Sequence, residues 1–432
     1  MLLGSFGQDG APFPSGPGVV VAMNAGIGGA WERCITLCNY LADSGWKVRL
    51  VTPRVVKNRI RHRPRGAIAH QELAFSFPGT LRFALACLAT VAGAWRESST
   101  DLQAVSYVGT SGLALGLVRR MMFGYVISHL GVVARGDEGE KHRAAAGGRS
   151  VFAIVRYGAH LLSMWALLAM ADRVVVQSES GLRRLVSTYG RWIVRKSQVV
   201  PNAVETLGRK DPAPECCRAK PEPGPGRSRL DVLFVGRLKM HVKGLDRVLE
   251  AAEMCDNGVK IQIAGDGPDR SLLTDAIVAR NLGDRVALLG WIQDPHRLMR
   301  SCDLLVVPSR IDPCPNVALE ALSVGCPVVG GDAPGVIELL DRQMLAVAEP
   351  VGRNLATVMN KAATDSAYLA RLRQACSERA RELRFHWARV ISEALLNGNW
   401  RGCEESMAKQ RTFVSARQAG NDGAALRSSW AE

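Results

Sequence analysis

The sequence of 432 residues has few of the features that mark membrane-spanning or disulfide-stabilised proteins. Its longest apolar runs, at 81–95 and 161–171, fall short of the roughly 20 residues that a membrane-spanning helix needs. The first residues contain neither a basic segment nor an apolar stretch of signal-peptide length, so we expect no secretion. Eleven cysteines are scattered along the chain, which is typical of reduced, cytoplasmic thiols rather than of a disulfide framework.

A zinc-binding pattern is also lacking. Cys34 and Cys38 lie four residues apart on a predicted helix, but no second pair of Cys or His follows at the spacing of a zinc site. We therefore expect these thiols to be buried apolar groups. We expect no metal and no cofactor.

A dinucleotide-binding fingerprint is incomplete in this chain. The stretch NAGIGGAWERC (24–34) holds Gly26, Gly28 and Gly29, but the pattern G-x-G-x-x-G requires a glycine where Trp31 stands. The acidic residue that the fingerprint wants about 20 positions later is also absent. Arg54 could face the 2′-phosphate of NADP, but the broken glycine spacing and the absence of a Tyr-x-x-x-Lys pair argue against an NADP-dependent oxidoreductase. Glycines at a strand-to-helix turn still allow another phosphate-bearing ligand to approach the backbone.

Negative charge is scarce in the first half of the chain. Residues 1–200 hold 24 Lys and Arg against 11 Asp and Glu, and the run KNRIRHRPR (57–65) concentrates cations. This excess favours an anionic partner, such as phospholipid headgroups or a diphosphate-linked acceptor, with a solvated basic face as the alternative. No nucleic-acid-binding motif accompanies it, so we expect no nucleic-acid partner.

The hydrophobic pattern predicts two doubly wound α/β domains. Apolar runs of strand length alternate with helical patterns, first up to QVVPNAVE (198–205) and again from DVLFVG (231–236). One of the predicted strands is GYVISHLG (124–131), and the Pro- and Gly-rich segment 206–229 predicts a linker. Ligands of such sheets bind beyond the carboxyl ends of the strands, so we expect a substrate in a cleft between the domains.

Two groups of polar residues follow predicted strands of the second domain. Arg237 and Lys243 lie in one strand-to-helix loop, where two cations can hold a diphosphate and stabilise its charge as a leaving group. Asp312 and Glu320 are separated by seven residues, in a loop that leads into a helix near Val317. Helix amides suit a phosphate and the carboxylates suit sugar hydroxyls, whereas a capping Asp and a solvated Glu are the structural alternative.

These motifs resemble the donor-binding domain of the retaining, family-4 glycosyltransferases of the GT-B fold, also known as glycosyl transferases group 1. The residues that carry the resemblance are GRL…KG, AGDGP, DPCPNVALEALSVGCPVV and GGDAPGVIEL. The first half resembles the family more loosely, through GIGGAWER, ISHLG, ADRVVVQSES and VVPNAVE, and FHWARVISEAL (385–395) is similar to its closing helix. The resemblance implies an acceptor-binding Rossmann-like domain at 18–205, the linker at 206–229, a donor-binding Rossmann-like domain at 230–384, a helix at 385–400 that crosses back, and a flexible tail at 401–432.

The resemblance implies transfer of a hexose or N-acetylhexosamine from a nucleotide-diphosphate sugar, with retention and without a metal. Arg237 and Lys243 would bind the diphosphate, Glu320 the ribose, and Asp312 and His129 would lie near the sugar. Further donor contacts are expected from Gly28, Gly29, Gly265, Asp266, Cys314, Pro315, Asn316 and Val317. The family usually has Glu and Gly where this chain has Asp312 and Pro313, and the change predicts altered donor recognition because proline lacks an amide N–H.

The acceptor is expected to be a glycan or a lipid-linked sugar held by the first domain. We expect a cytoplasmic enzyme, with a peripheral contact with anionic lipid at the inner face of the plasma membrane as a further expectation. Two alternatives remain open: a sugar-nucleotide epimerase of the same fold, which needs additional acid and base carboxylates, and a sugar-nucleotide-binding protein without catalysis.

Overall fold

The fold is that of a computed structural model, and the residues that it describes form several ranges of the sequence. Apart from isolated positions between 64 and 117, these are residues 17–23, 29–53, 68–73, 102–107, 129–134, 151–204, 229–340 and 345–397. Two compact units can be distinguished, and the division between them falls inside a strand, between Val174 and Val175. Residues 395–397 group with the first unit. The predicted linker at 206–229 lies almost entirely outside the described residues, and the predicted domain boundaries stay a prediction.

The first sheet has seven strands in the order β3-β2-β1-β4-β5-β6-β7. Its strands are largely apolar runs that are buried on both faces of the sheet, as in parallel sheets covered by helices. In β1 and β4 every residue is buried. The pairings β1–β2, β1–β4, β2–β3 and β4–β5 are parallel. The strands are β1 (Gly18–Met23), β2 (Lys47–Pro53), β3 (Ala69–Leu73), β4 (Leu102–Tyr107), β5 (His129–Ala134), β6 (Arg173–Val176) and β7 (Ser197–Val199).

Three helices accompany this sheet among the described residues. Helix α1 (Gly29–Asp43) follows β1 and buries Trp31, Ile35 and both Cys34 and Cys38. Burial of Cys34 raises the pKa of its thiol well above the usual value, and its contacts with Cys38 act in the same direction. The other two helices are α2 (Val151–Met170) and α3 (Glu179–Tyr189), and α3 is followed by a 3-10 turn at Arg191–Lys196.

The second sheet has five parallel strands in the order β10-β9-β8-β11-β12. They are β8 (Leu230–Val235), β9 (Val259–Ala264), β10 (Val286–Gly290), β11 (Leu304–Val307) and β12 (Val328–Gly330). The chain moves outward from β8 to β10 and then crosses to β11 on the other side of β8. The direction of winding therefore reverses between β8 and β11, which is the topological switch point of this sheet.

Helices with one apolar face cover the second sheet and complete its core. Leu245, Val248 and Leu249 of α5 are buried at helical spacing, as are Leu355, Ala356 and Met359 of α10. The helices are α4 (Met240–Lys243), α5 (Leu245–Met254), α6 (Arg270–Ala279), α7 (Pro295–Ser301), α8 (Asn316–Ser323), α9 (Pro334–Leu340), α10 (Val351–Thr364), α11 (Ser366–Glu382) and α12 (Trp387–Ser392), the last extended by a π-helical turn at Glu393–Asn397.

The structure confirms the doubly wound α/β class and extends one strand. Of the predicted strand 124–131, residues 124–128 lie outside the described residues, and β5 (His129–Ala134) runs three residues past the predicted end. The reason is that the apolar run continues past Gly131, and Val132, Val133 and Ala134 are all buried. No helix in the described part of the chain is long and apolar enough to cross a membrane.

Candidate functional site

The loops that follow β8 and β11 flank the topological switch point of the second sheet. Arg237 lies two residues after the end of β8, and Lys243 ends the short helix α4 in the same connection. Asp312 lies in the loop between β11 and α8. The residues that the sequence singled out for a diphosphate therefore lie where doubly wound sheets bind their ligands.

Lys243 and Asp312 form an ion pair across this switch point. The distance from Lys243 Nζ to Asp312 Oδ2 is 2.5 Å, and the side chains are 27% and 6% exposed. Arg237 is exposed and, within the described part of the chain, is not joined to this pair. Lys243 is thus paired with Asp312, whereas Arg237 is exposed to solvent.

The turn between α4 and α5 packs directly on the strand end of β11. Gly244 has a left-handed backbone with φ of 69°, and a Cβ atom there would come within 2.1 Å of the carbonyl oxygen of Pro308. The backbone N–H of Arg310 also donates to the carbonyl oxygen of Val242, at 3.1 Å. A glycine is required at this point, and the close approach brings Lys243 to Asp312.

A second ion pair ties the same two segments together. The two guanidinium nitrogens Nη1 and Nη2 of Arg310 donate to the two carboxylate oxygens of Asp246, each at 2.7 Å. Burial alone raises the pKa of Asp246, but the hydrogen bonds and charge of Arg310 outweigh it and leave the pKa below its usual value. The bidentate geometry fixes the loop after β11 against the first turn of α5.

Buried Arg247 extends this network to the loop after β12. Its Nη1 donates to the carbonyl oxygen of Pro308 at 3.1 Å and to Asp332 Oδ1 at 2.8 Å, and its Nη2 bonds to Glu349. The pKa of Glu349 is lowered, chiefly by the hydrogen bond from the N–H of Val351 and also by Arg247. Sequence reasoning missed Arg247; its signal is a charge at 247, directly before the buried apolar pair Val248 and Leu249.

The loop after β9 meets the loop after β8 by backbone contacts. Gly265 has a φ of 147°, and a Cβ atom on it would lie 1.8 Å from the carbonyl oxygen of Gly236. The N–H of Leu238 donates to the carbonyl oxygen of Asp266 at 3.0 Å. The Asp266 side chain accepts from the N–H of Gly267 at 2.9 Å. Gly265 and Asp266 therefore lie at the carboxyl edge of the sheet, as expected.

The remaining predicted donor residues lie at the start of α8. Cys314 and Pro315 are buried in the preceding loop, Asn316 and Val317 are the first two helical residues, and Glu320 is half-buried one turn further on. Pro315 stands at the N-cap and offers no side chain to accept a helix N–H. The positive end of the helix dipole is thus directed toward the loop that holds Asp312.

A buried amide relay holds the first residue of α8. Asn202, which follows β7 and is 1% exposed, donates from Nδ2 to Asn316 Oδ1 at 2.9 Å. Its Oδ1 accepts a hydrogen bond at 3.3 Å from Nε2 of Gln177, the residue directly after β6. Sequence reasoning missed both residues, although a Pro-Asn pair directly after a strand is a polar feature where a ligand edge is expected.

The helix α9 contributes a carboxylate to the start of α3. Glu338 accepts from the backbone N–H groups of Glu179 and Ser180, each at 2.8 Å. Ser178 caps the same helix by accepting from the N–H of Gly181 at 3.1 Å. A carboxylate at a helix N-terminus is favourable because it faces the positive end of the dipole.

Comparisons with known proteins identify the family of this chain. Residues 219–383 match the model of "Glycosyl transferases group 1", and residues 27–206 match that of "Glycosyltransferase Family 4". The chain belongs to the family-4 glycosyltransferases. Its two Rossmann-like parallel-sheet domains are those of the GT-B fold, as in the structure of HepE from Anabaena in complex with UDP-glucose, which is 17% identical with a TM-score of 0.65 over 88% of this chain and 98% of that one.

Two curated relatives match parts of this chain. Alpha-D-kanosaminyltransferase of Streptomyces kanamyceticus is 32% identical over 42% of this chain and 50% of its own length. The lipopolysaccharide core biosynthesis glycosyltransferase LpsD of Rhizobium meliloti is 28% identical over 42% of this chain and 54% of its own. The chain thus spans about half the length of these two relatives.

Three predicted site residues belong to the first half of the chain. Gly29 begins α1, whereas Gly28 lies outside the described residues. His129 does not follow its strand: it opens β5, paired with Gln103 of β4. That position is the amino end of the described strand, whereas ligands of doubly wound sheets bind at the carboxyl ends. The place of His129 beside a sugar stays a prediction. In the part of the chain that the structure describes, no group of three His, Cys, Asp or Glu side chains is arranged to hold a metal.

Proposed function

We propose that this chain transfers a hexose or N-acetylhexosamine from a nucleotide-diphosphate sugar to a glycan or lipid-linked acceptor. The observation that carries the proposal is the meeting of Lys243, Asp312 and the N-terminus of α8 at one switch point, with Arg237 at the same edge. Cations and a helix N-terminus suit a diphosphate, and a buried carboxylate suits sugar hydroxyls. Membership of the family supports the same activity.

In the proposed reaction the sugar moves with retention and without a metal. The bond between the anomeric carbon and the diphosphate oxygen breaks, the acceptor oxygen forms the new bond on the same face, and the acceptor proton passes to the departing diphosphate. Arg237 and Lys243 stabilise the negative charge that develops on that diphosphate. Asp312 and Glu320 orient the sugar and the ribose, so catalysis is mainly positioning and electrostatics.

The basic excess of residues 1–200 supports an anionic acceptor, such as a diphosphate-linked sugar at a membrane surface. The relative LpsD, named for lipopolysaccharide core biosynthesis, supports the same acceptor class. The side chain of Asp312 is one methylene shorter than the family's Glu, and together with Pro313 this supports a donor preference of its own for this chain.

The test combines donor binding with turnover. A thermal-shift screen of UDP, GDP and ADP and their sugars is expected to reveal one stabilising base, since a ligand at 100 times its dissociation constant adds about 2.7 kcal/mol to the stability. With that donor, Arg237→Ala and Lys243→Ala are each expected to lower turnover by about 100-fold, because each removes a group that stabilises the leaving diphosphate.

Arg300→Ala is the matched control. Arg300 is exposed in the last turn of α7, which leads into the amino end of β11, so its loss is expected to leave turnover unchanged. Near-normal turnover in both Arg237→Ala and Lys243→Ala contradicts the proposed roles. Stabilisation by a donor without any transfer or hydrolysis identifies a binding protein instead, and conversion of the donor without an acceptor identifies an epimerase.

A further inference from the structure

The six-residue turn after α3 presents an exposed aromatic and basic surface. The turn is the 3-10 helix Arg191–Lys196, with the sequence RWIVRK. Trp192 and Val194 are 38% and 43% exposed, and Arg191 and Arg195 are exposed beside them. Three consecutive apolar side chains, Trp192 to Val194, thus stand between cations at both ends of the turn.

The geometry of the 3-10 helix determines which of these side chains point in the same direction. With three residues per turn, residues three apart lie above one another. Ile193 is fully buried and anchors one column in the core. The two other columns, Arg191 with Val194 and Trp192 with Arg195, are turned outward, so each outward column pairs one apolar side chain with one guanidinium.

The indole of Trp192 is held in place by two polar contacts. Its Nε1–H donates to the carbonyl oxygen of Tyr189 at 2.6 Å, and the Lys196 ammonium lies 4.8 Å from the ring centroid. A ring fixed in this way is exposed without being free to fold back onto the protein surface. Trp and Lys or Arg in such proximity are the residues enriched where one side of a side chain meets lipid and the other meets headgroups.

The chain segment that ends in this turn is mainly positive. Residues 179–196 contain five Lys and Arg and a single carboxylate, Glu179. The excess is complementary to an anionic surface, and the apolar members of the turn suit one that also has a hydrocarbon layer. A polyanion without that layer satisfies the cations but leaves Trp192 and Val194 exposed to water.

From this complementarity we propose that the turn Arg191–Lys196 docks on an anionic phospholipid surface, with the Trp192 ring at headgroup depth and Arg191 and Arg195 on lipid phosphates. The inference deepens the proposed membrane-surface reaction by assigning the surface that meets the lipid. Vesicle binding needs no sugar donor, so its outcome is separate from that of the transferase assay.

The experiment measures partition of the full chain onto vesicles of phosphatidylcholine containing about 30 mol% phosphatidylglycerol, a strongly anionic composition. Each removed cation is expected to weaken partition about fivefold, so Arg191→Gln with Arg195→Gln weakens it about 25-fold. The charge-matched control is Arg297→Gln with Arg353→Gln, two exposed arginines elsewhere, whose loss is expected to weaken partition far less. Circular dichroism verifies that both double variants are folded.

Two further readouts distinguish a bilayer from other polyanions. Brominated lipid is expected to quench the tryptophan fluorescence of the wild type more than that of Trp192→Phe, and partition is expected to fall as salt rises from about 0.05 to 0.5 M. Equal partition of the two double variants overturns the inference, as does equal binding to pure phosphatidylcholine. Binding to double-stranded DNA but not to vesicles also overturns it and assigns the turn to nucleic acid.

Discussion

The ion pair between Lys243 and Asp312 predicts an energetic coupling that a double-mutant cycle can measure. Removing one member of a buried ion pair costs about 3–5 kcal/mol because the other charge is left without a partner. Exposed pairs contribute less than about 1 kcal/mol. Since Asp312 is 6% exposed and Lys243 is 27% exposed, the pair lies between these limits.

The two single changes are expected to differ in size. Lys243→Met leaves a buried carboxylate uncompensated and is expected to lower the free energy of unfolding by about 2.5 kcal/mol. Asp312→Asn is expected to cost about 1 kcal/mol, because the lysine reaches solvent and the amide oxygen still accepts its hydrogen bond. The double variant removes both charges and is expected to cost about 2 kcal/mol, which gives a coupling of about 1.5 kcal/mol.

Urea-induced unfolding of the three variants and the wild type at neutral pH measures these values. Lys239→Met is the matched control: this lysine is exposed in the same loop, and its loss is expected to change the stability by less than about 0.5 kcal/mol. If the two single changes add to within about 0.5 kcal/mol in the double variant, the side chains do not interact and the reasoning fails.

Two further predictions follow from the same segment of the fold. Gly265→Ala is expected to lower the free energy of unfolding by about 3 kcal/mol or more in urea, because its Cβ would lie 1.8 Å from the Gly236 carbonyl oxygen. Gly283→Ala, where no atom lies within 4 Å, is expected to cost less than about 0.5 kcal/mol, and equal costs at the two glycines contradict the argument. The lowered pKa of Asp246 means that its pairing with Arg310 stabilises the fold above the unfolded-state value of about 3.9 and is lost as the pH falls below it. Asp246→Asn is therefore expected to flatten the loss of thermal stability between about pH 5 and pH 3, whereas the exposed control Asp275→Asn keeps the wild-type slope; parallel slopes for all three proteins refute the assignment.

The strands of the second sheet and the start of α8 could be predicted because their sequence signals are local. Buried apolar runs of strand length end in Gly or Pro, and the Pro-rich loop at 313–315 marks the N-terminus of the helix that holds Glu320. The strand β5 runs past its predicted end for an equally local reason. The apolar residues continue after Gly131 with Val132 and Val133, so a single glycine does not end the strand.

The contacts between loops could not be predicted from spacing. Lys243 and Asp312 are 69 residues apart, and Asn202 and Asn316 are 114 residues apart. The loops of Lys243 and Asp312 are close together because of the order of the strands in the second sheet, and the residues of either loop do not reveal that order. The sequence can name the groups that suit a diphosphate, but it cannot show that one of its two cations is already paired with a carboxylate.

That pairing bears on how the site can act on a charged donor. Lys243 is neutralised by Asp312 before any ligand arrives, whereas Arg237 is exposed. In the proposed reaction, a diphosphate is therefore attracted first by Arg237 and the N-terminus of α8, and it gains Lys243 only by sharing it with Asp312. The cost of that sharing is offset because the lysine is already oriented by the carboxylate and need not be ordered during the reaction. The proposed site therefore attracts the diphosphate less strongly in the ground state, but Lys243 is already oriented to stabilise the charge that develops as the sugar leaves.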